Sequence, residues 1–176
     1  MKEDDIMHLI FEACDAGGKT SAIEELHKLL GWKVIKGSSF ELAQCNSMEL
    51  LKKFHDMSLD NYKENVIFDR FIYSNAVYAD IYKDYTLLSD EVRSALEEDF
   101  PPNSKIVYLH ADIETLTDRL NSRGDDYVKA EKIPLIIKKY NEVLTKVNEN
   151  IEIIPINTSQ RTPKEVAEYI VSIISK

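Results

Sequence analysis

The sequence predicts a three-layer α/β fold, a five-stranded parallel sheet flanked by helices, because short apolar runs alternate with longer stretches of helical period. The runs occupy 7–12, 32–36, 66–69, 105–109 and 151–156 and are mostly continuous in hydrophobicity rather than alternating. Strands buried on both faces of a parallel sheet have that pattern. Strand and helix in alternation build such a sheet through right-handed crossovers. With 176 residues and no low-complexity tract, a single domain over 1–176 is expected.

The first strand carries Leu9, Ile10 and Phe11 and runs into a glycine turn, so that residues 6–21 read IMHLIFEACDAGGKTS. The phosphate-binding loop pattern asks for glycine, four residues, then Gly-Lys-Ser/Thr. Gly18, Lys19 and Thr20 fill the last three positions and Ala13 the first. Alanine is small, but its Cβ forbids conformations that only glycine tolerates. Gly17 and Gly18 let backbone N–H groups curl toward phosphate oxygens ahead of a helix N-terminus. Lys19 reaches the β and γ phosphates and Thr20 is placed to ligate Mg²⁺. ATP and Mg²⁺ are therefore the expected cofactors, held by Asp15, Ala16, Gly17, Gly18, Lys19, Thr20 and Ser21. Behind the loop, Ala22, Ile23, Leu26, Leu29 and Leu30 mark one face of a helix. Cys14 reads as a small loop filler, since nothing nearby acts as its base, and with Cys45 it makes no metal or disulfide spacing.

In open parallel sheets ligands lie beyond the carboxyl ends of the strands. Function is accordingly expected at 12–20, 36–40, 69–74, 111–112 and 157–159. After the third strand comes Asp69-Arg70-Phe71, then Ser74, Asn75 and Tyr78. Asp69 can order Mg²⁺ or accept the proton of an attacking hydroxyl, and Arg70 offers a planar fork for a phosphoryl group. The plainer alternative is a surface Asp–Arg pair at a helix start.

Ser89 followed by Asp90 and Glu91 starts another helix, and Asp112 precedes the stripe Ile113, Leu116, Leu120. That stripe ends in Arg119 and Arg123, four apart on one face, and then Gly124 and Asp125. One arginine there would merely complement the helix dipole. Two suggest a lid over about 119–132, which would exclude water from the transferring group. A long helix is expected over about 130–148 with Ile133, Ile137, Tyr140, Leu144 and Val147 on one face, and Thr162, Pro163 and Glu165 form a capping box for a last helix. For a nucleobase, Phe40, Phe71, Tyr73 and Tyr78 are candidate stacking faces, with Gln44 and Asn75 as edge readers. Phe54, beside Leu50 and Leu51, fits the core instead.

A formal net charge of −9 argues against nucleic acid as a partner, because that affinity comes from Lys and Arg neutralising phosphates. No apolar run approaches the ~20 residues of a membrane span, and no signal peptide is visible, so no membrane partner is expected and a cytoplasmic location is.

FEACDAGGKTS, VIFDRFIYSNAVY, PPNSKIVYLHADIETLTDRLNSRGDD and the long helix through Tyr140 resemble, in order and spacing, thymidylate kinases and related deoxynucleoside kinases. The resemblance covers nearly the whole chain and implies a P-loop kinase fold with a small lid after the fourth strand. It implies that Asp15 is a loop carboxylate near the acceptor sugar and that Asp69 and Arg70 form the acceptor clamp. It implies too that Arg119 and Arg123 grip donor phosphates, and that the protein is a homodimer. Three departures are visible: Ala13 for glycine, Lys36-Gly37-Ser38-Ser39-Phe40-Glu41 in place of Arg-Glu-Pro-Gly-Gly, and no serine after Asp69-Arg70. The leading expectation is an ATP-dependent deoxynucleoside monophosphate kinase for a pyrimidine deoxynucleotide, with Lys19, Asp69, Arg70, Arg119 and Arg123 catalytic. Thr20 and Asp69 then hold the metal, and Asp15, Phe40, Arg70, Phe71, Asn75 and Tyr78 bind the acceptor. One alternative is a deoxynucleoside kinase in which Asp69 activates the 5′-hydroxyl; another is a non-catalytic nucleotide-binding protein. Lys36 is either an extra cation for an acceptor phosphate or an ordinary solvated lysine.

Overall fold

The computed structural model describes residues 6–38, 44–123 and 128–175. Its strands are β1 (His8–Ala13), β2 (Lys33–Ile35), β3 (Val66–Asp69), β4 (Lys105–His110) and β5 (Glu152–Asn157). All neighbours pair in parallel, in the order β2-β3-β1-β4-β5. The described helices are α1 (Lys19–Leu30), α2 (Ser47–Asp60), α3 (Ile72–Ala79), α4 (Asp90–Glu97), α5 (Ile113–Arg123), α6 (Ile133–Leu144) and α7 (Pro163–Ile174). None is long and apolar enough to cross a membrane.

Alternation of side chains along β1 divides the core. Leu9, Phe11 and Ala13 face one way, with Ile67, Val107, Leu109, Ile154 and Ile156, onto Ala22, Ile23 and Leu26 of α1 and Val166, Ala167 and Ile170 of α7. Ile10 faces the other way, with Val66, Phe68 and Ile106, onto Leu50 and Phe54 of α2, Ile72 and Tyr73 of α3 and Leu96 of α4. Further along that face Tyr108 packs with Val77, Leu116, Leu120, Ile133, Ile136 and Tyr140 of α3, α5 and α6. Three layers result, as the strand pattern requires.

Two details differ from the sequence expectation. Leu29 is 52% exposed, because three residues per two turns of α1, Ala22, Ile23 and Leu26, already cover the sheet. The long helix is shorter: a 3₁₀ turn, Ala130–Lys132, precedes α6, which ends at Leu144. Pro155 lies on the edge strand β5, where a missing N–H leaves no ladder bond unmade.

The last helix begins as its sequence predicts. Thr162 Oγ1 accepts from Glu165 N at 3.2 Å, while Glu165 Oε2 accepts from Thr162 N at 2.7 Å. Since α7 covers the sheet beneath the phosphate loop, Thr162→Ala should lower unfolding stability by about 1 kcal/mol, measurable by denaturant titration.

Candidate active site

Between β1 and α1, Gly17 N donates to Cys14 O at 3.0 Å. A Cβ on Gly17 would meet that oxygen at 2.9 Å and the Ala13 methyl at 3.0 Å, so the turn admits only glycine there. Gly18 has φ 84° and caps α1. Ala13, the odd letter of the motif, lies in regular strand backbone paired with Leu109. The left-handed conformation falls instead on Ala16, φ 61°. Cys14 is buried, which pushes its thiol up to about 12, an inert filler as expected.

The second left-handed side-chain position is Arg70, φ 64°, in the turn from β3 into α3. Parallel pairing sets Phe11 beside Asp69, and Arg70 N donates to Phe11 O at 3.0 Å. One step on, Glu12 points into the helical layer that Ile10 faces, where it is wholly buried. Its Oε1 accepts from Phe71 N at 3.0 Å and Ser74 N at 3.2 Å. Its Oε2 accepts from Ser74 Oγ and, at 3.2 Å, from the Tyr140 hydroxyl of α6. Burial raises the Glu12 pKa and these donors oppose the shift. The guanidinium of Arg70 stands 4.8 Å over the Tyr78 ring, donates to Asp15 Oδ1 at 3.0 Å and to the Tyr140 hydroxyl at 3.4 Å. Tyr78 donates its hydroxyl proton to Asp15 Oδ2.

A cavity of about 830 Å³ opens over the loop. It is lined by residues 14–22, Arg70, α5 through Asp118, Arg119, Ser122 and Arg123, and the segment with Thr158, Arg161, Pro163 and Val166. Lys19, Arg70, Arg119, Arg123 and Arg161 thus face Asp15 and Asp118, a cationic concentration in a chain of net charge −9. Such a cavity suits a polyanion. Lys19 contacts Asp69 Oδ1; burial, and next the Arg70 charge, lower its ammonium to about 7. Arg119 donates to Thr158 Oγ1 at 3.1 Å and Thr158 O at 2.7 Å, and Thr158 Oγ1 donates to Gly17 O at 3.1 Å.

The structure brings Asp15, Ala16, Gly17, Gly18, Lys19, Thr20, Ser21, Arg70, Arg119 and Arg123 to one cavity, with Asp69 at its edge through Lys19. It places Phe71 elsewhere. That ring is enclosed by Phe68, Phe54 and Phe100 at centroid distances of 4.5, 5.1 and 5.8 Å, so it offers no face to a base. Asn75 is likewise buried, and its amide nitrogen donates within the fold to Thr86 O at 3.0 Å. Tyr78 is buried with its hydroxyl on Asp15. Phe54 is core, as expected. Phe40 and residues 124–127 of the expected lid lie outside the described residues. Gly37 after β2 lies against the site: a Cβ there would stand 2.2 Å from Arg70 O. Glu12 and Thr158 fall in strand-end segments where function was expected but were given no role, and Tyr140 and Arg161 were not among the expected site residues. A lone carboxylate in the run LIFEA was the available signal for Glu12, and a lone hydroxyl on the aliphatic stripe of α6 the signal for Tyr140.

Residues 36–176 match the profile of the family described as deoxynucleoside kinase. The chain is 36% identical over 166 residues to YorR, an SPbeta prophage-derived uncharacterized protein of Bacillus subtilis strain 168, across 94% of this chain and 98% of that one. The crystal structure of YorR in complex with phosphorylated GDP superposes with a TM-score of 0.86 at 35% identity, over 96% of this chain and 95% of that one. Deoxyadenosine kinase from M. mycoides with bound dCTP gives 0.65 at 19% identity, over 96% and 99%, a likeness of fold.

Two substitutions probe this geometry. Glu12→Ala leaves Phe71 N, Ser74 N, Ser74 Oγ and the Tyr140 hydroxyl without their acceptor and should cost about 3–5 kcal/mol in denaturant unfolding. Ala16→Gly relieves a left-handed alanine and should raise stability by about 0.5–1 kcal/mol in the same measurement.

Proposed function

Because the chain belongs to the deoxynucleoside kinase family, we propose that it transfers the γ-phosphoryl group of ATP to the 5′-hydroxyl of a deoxynucleoside. The observation that carries the choice of acceptor is the state of Arg70. Its guanidinium is ion-paired with Asp15 and held by Tyr78 and Tyr140, so its charge is largely balanced before any acceptor arrives. An uncharged hydroxyl acceptor needs no further cation; a phosphate acceptor does.

The donor half of the cavity is differently equipped. Lys19, Arg119, Arg123 and Arg161 surround the loop, and Gly17 and Gly18 present its backbone at the start of α1. YorR's complex with phosphorylated GDP supports a purine nucleotide as a ligand of this architecture. Among the described residues no group of three or more His, Cys, Asp or Glu side chains could hold a metal. Thr20 and Asp69 would hold Mg²⁺ together with donor phosphate oxygens and water, the sparse protein ligation that Mg²⁺ accepts. When bound, the ion neutralises charge between the β and γ phosphates. Lys19 and the arginines do the same from the protein side, and catalysis is chiefly positioning and charge stabilisation.

A second reading, transfer to a deoxynucleoside monophosphate of the thymidylate kind, is favoured by Lys36 at the end of β2. Its charge is felt at Lys19. With Phe71 and Asn75 in the core, neither reading draws a preference for pyrimidines from them.

The two readings separate in one experiment. The protein is incubated with ATP, Mg²⁺ and a panel of deoxynucleosides and their monophosphates, and products are resolved by chromatography. Nucleosides converted to monophosphates are expected; conversion of monophosphates alone selects the second reading. Lys19→Ala should lower turnover by about 100-fold or more with little change in melting temperature, and wild-type turnover in that variant would refute phosphoryl transfer at this loop.

A further inference from the structure

The core has no need of the Tyr140 hydroxyl. Its ring is fully buried on α6, 5.5 Å from the Tyr108 ring and edge-on to Tyr78 at 6.4 Å, and phenylalanine would fill that space as well. Nor is the oxygen the sole support of Glu12, since Phe71 N, Ser74 N and Ser74 Oγ already donate to that carboxylate. Yet the Tyr140 oxygen stands 3.0 Å from Ser74 Oγ, 3.2 Å from Glu12 Oε2 and 3.4 Å from Arg70 Nη1. Ser74 gives its own proton to Glu12, so the single Tyr140 proton points toward Glu12 and Ser74, and a lone pair is left for the guanidinium. A carboxylate at one end of the hydroxyl and a cation at the other polarise it in the same sense.

Arg70 is the group that this oxygen constrains. Its Nη2 donates to Asp15 Oδ1 at 3.0 Å, its plane lies over the Tyr78 ring, and Tyr140 takes Nη1. A guanidinium pinned at one terminal nitrogen still swings about that bond, whereas pins at both ends fix the whole fork. At 3.4 Å the Tyr140 contact is the longest of the set, a restraint on direction more than a strong bond. We propose that Tyr140 is a positioning residue for phosphoryl transfer, its hydroxyl oriented by Glu12 and Ser74 so as to fix the Arg70 guanidinium in the cavity. The assignment rests on the phosphoryl-transfer reading and not on the choice of acceptor, because either acceptor must meet the donor in the cavity that Arg70 lines. It accounts for a tyrosine, rather than another aliphatic or phenylalanine, on the apolar stripe of α6.

The test compares wild type with Tyr140→Phe, which removes the oxygen and keeps the ring. Melting temperature, calorimetric affinity for magnesium-ATP, kinetics with whichever acceptor the wild type phosphorylates, and NMR exchange of the Arg70 guanidinium nitrogens are measured on both. Tyr140→Phe should lower kcat/KM for the acceptor by about 10- to 100-fold while magnesium-ATP affinity stays within about threefold. Melting temperature should fall by only about 2–4 °C, the loss of one hydrogen bond. In the wild type Nη1 and Nη2 should give separate resonances through hindered rotation, and in Tyr140→Phe they should merge. Acceptor kcat/KM within about threefold of wild type overturns the assignment, as does guanidinium exchange that is equal in the two proteins. Loss of magnesium-ATP affinity in step with kcat/KM, or loss of the folded state, also overturns it, in favour of a structural role. A wild type that binds magnesium-ATP and transfers to no deoxynucleoside or monophosphate overturns the phosphoryl-transfer reading, and this assignment with it.

Discussion

A carboxylate buried in a sheet costs several kcal/mol unless its lone pairs are satisfied, and Glu12 is such a group. Its donors come from the turn after β3, from the first turn of α3 and from α6, segments separated from it by 59, 62 and 128 residues. Satisfying Glu12 therefore requires α3 to begin where it does and α6 to lie across it. The turn into α3 is then so tight that Arg70 takes a left-handed conformation, which costs a non-glycine residue about 1–3 kcal/mol. That strained turn aims the guanidinium at Asp15. The geometry of the proposed acceptor side follows from one buried carboxylate.

The site divides electrically along the same line. On the donor side Lys19, Arg119, Arg123 and Arg161 surround the loop, and Thr158 ties Arg119 to Gly17. On the acceptor side Arg70 is already matched by Asp15. A polyanion and an uncharged hydroxyl would be the complements of those two halves, and the first of them gathers cations in a chain whose net charge is −9.

Much of this was legible beforehand. Five continuous apolar runs in a parallel-sheet pattern, the Gly-Gly-Lys-Thr turn and the capping box at Thr162 are local signals, and local physics produced each where it was expected. The rule that ligands sit beyond strand ends also pointed to the segments of Arg70 and Thr158, both of which line the cavity. Phe71 and Asn75 were misread because helical spacing says which residues share a face but not what that face meets. Ala13 was suspected where Ala16 bears the strain, since a motif records letters and the dihedral angles depend on how the loop closes.

Sequence by itself determined the fold class, the order of strand, loop and helix, and the chemical types gathered around the glycine turn, because hydrophobic periodicity and glycine's freedom act over a few residues. Only the tertiary structure decided which charge pairs with which. Lys19 meets Asp69, Arg70 meets Asp15, and Glu12 is closed by a hydroxyl 128 positions away. Such pairings are set by the packing of distant elements around buried charge, and no spacing along the chain encodes them.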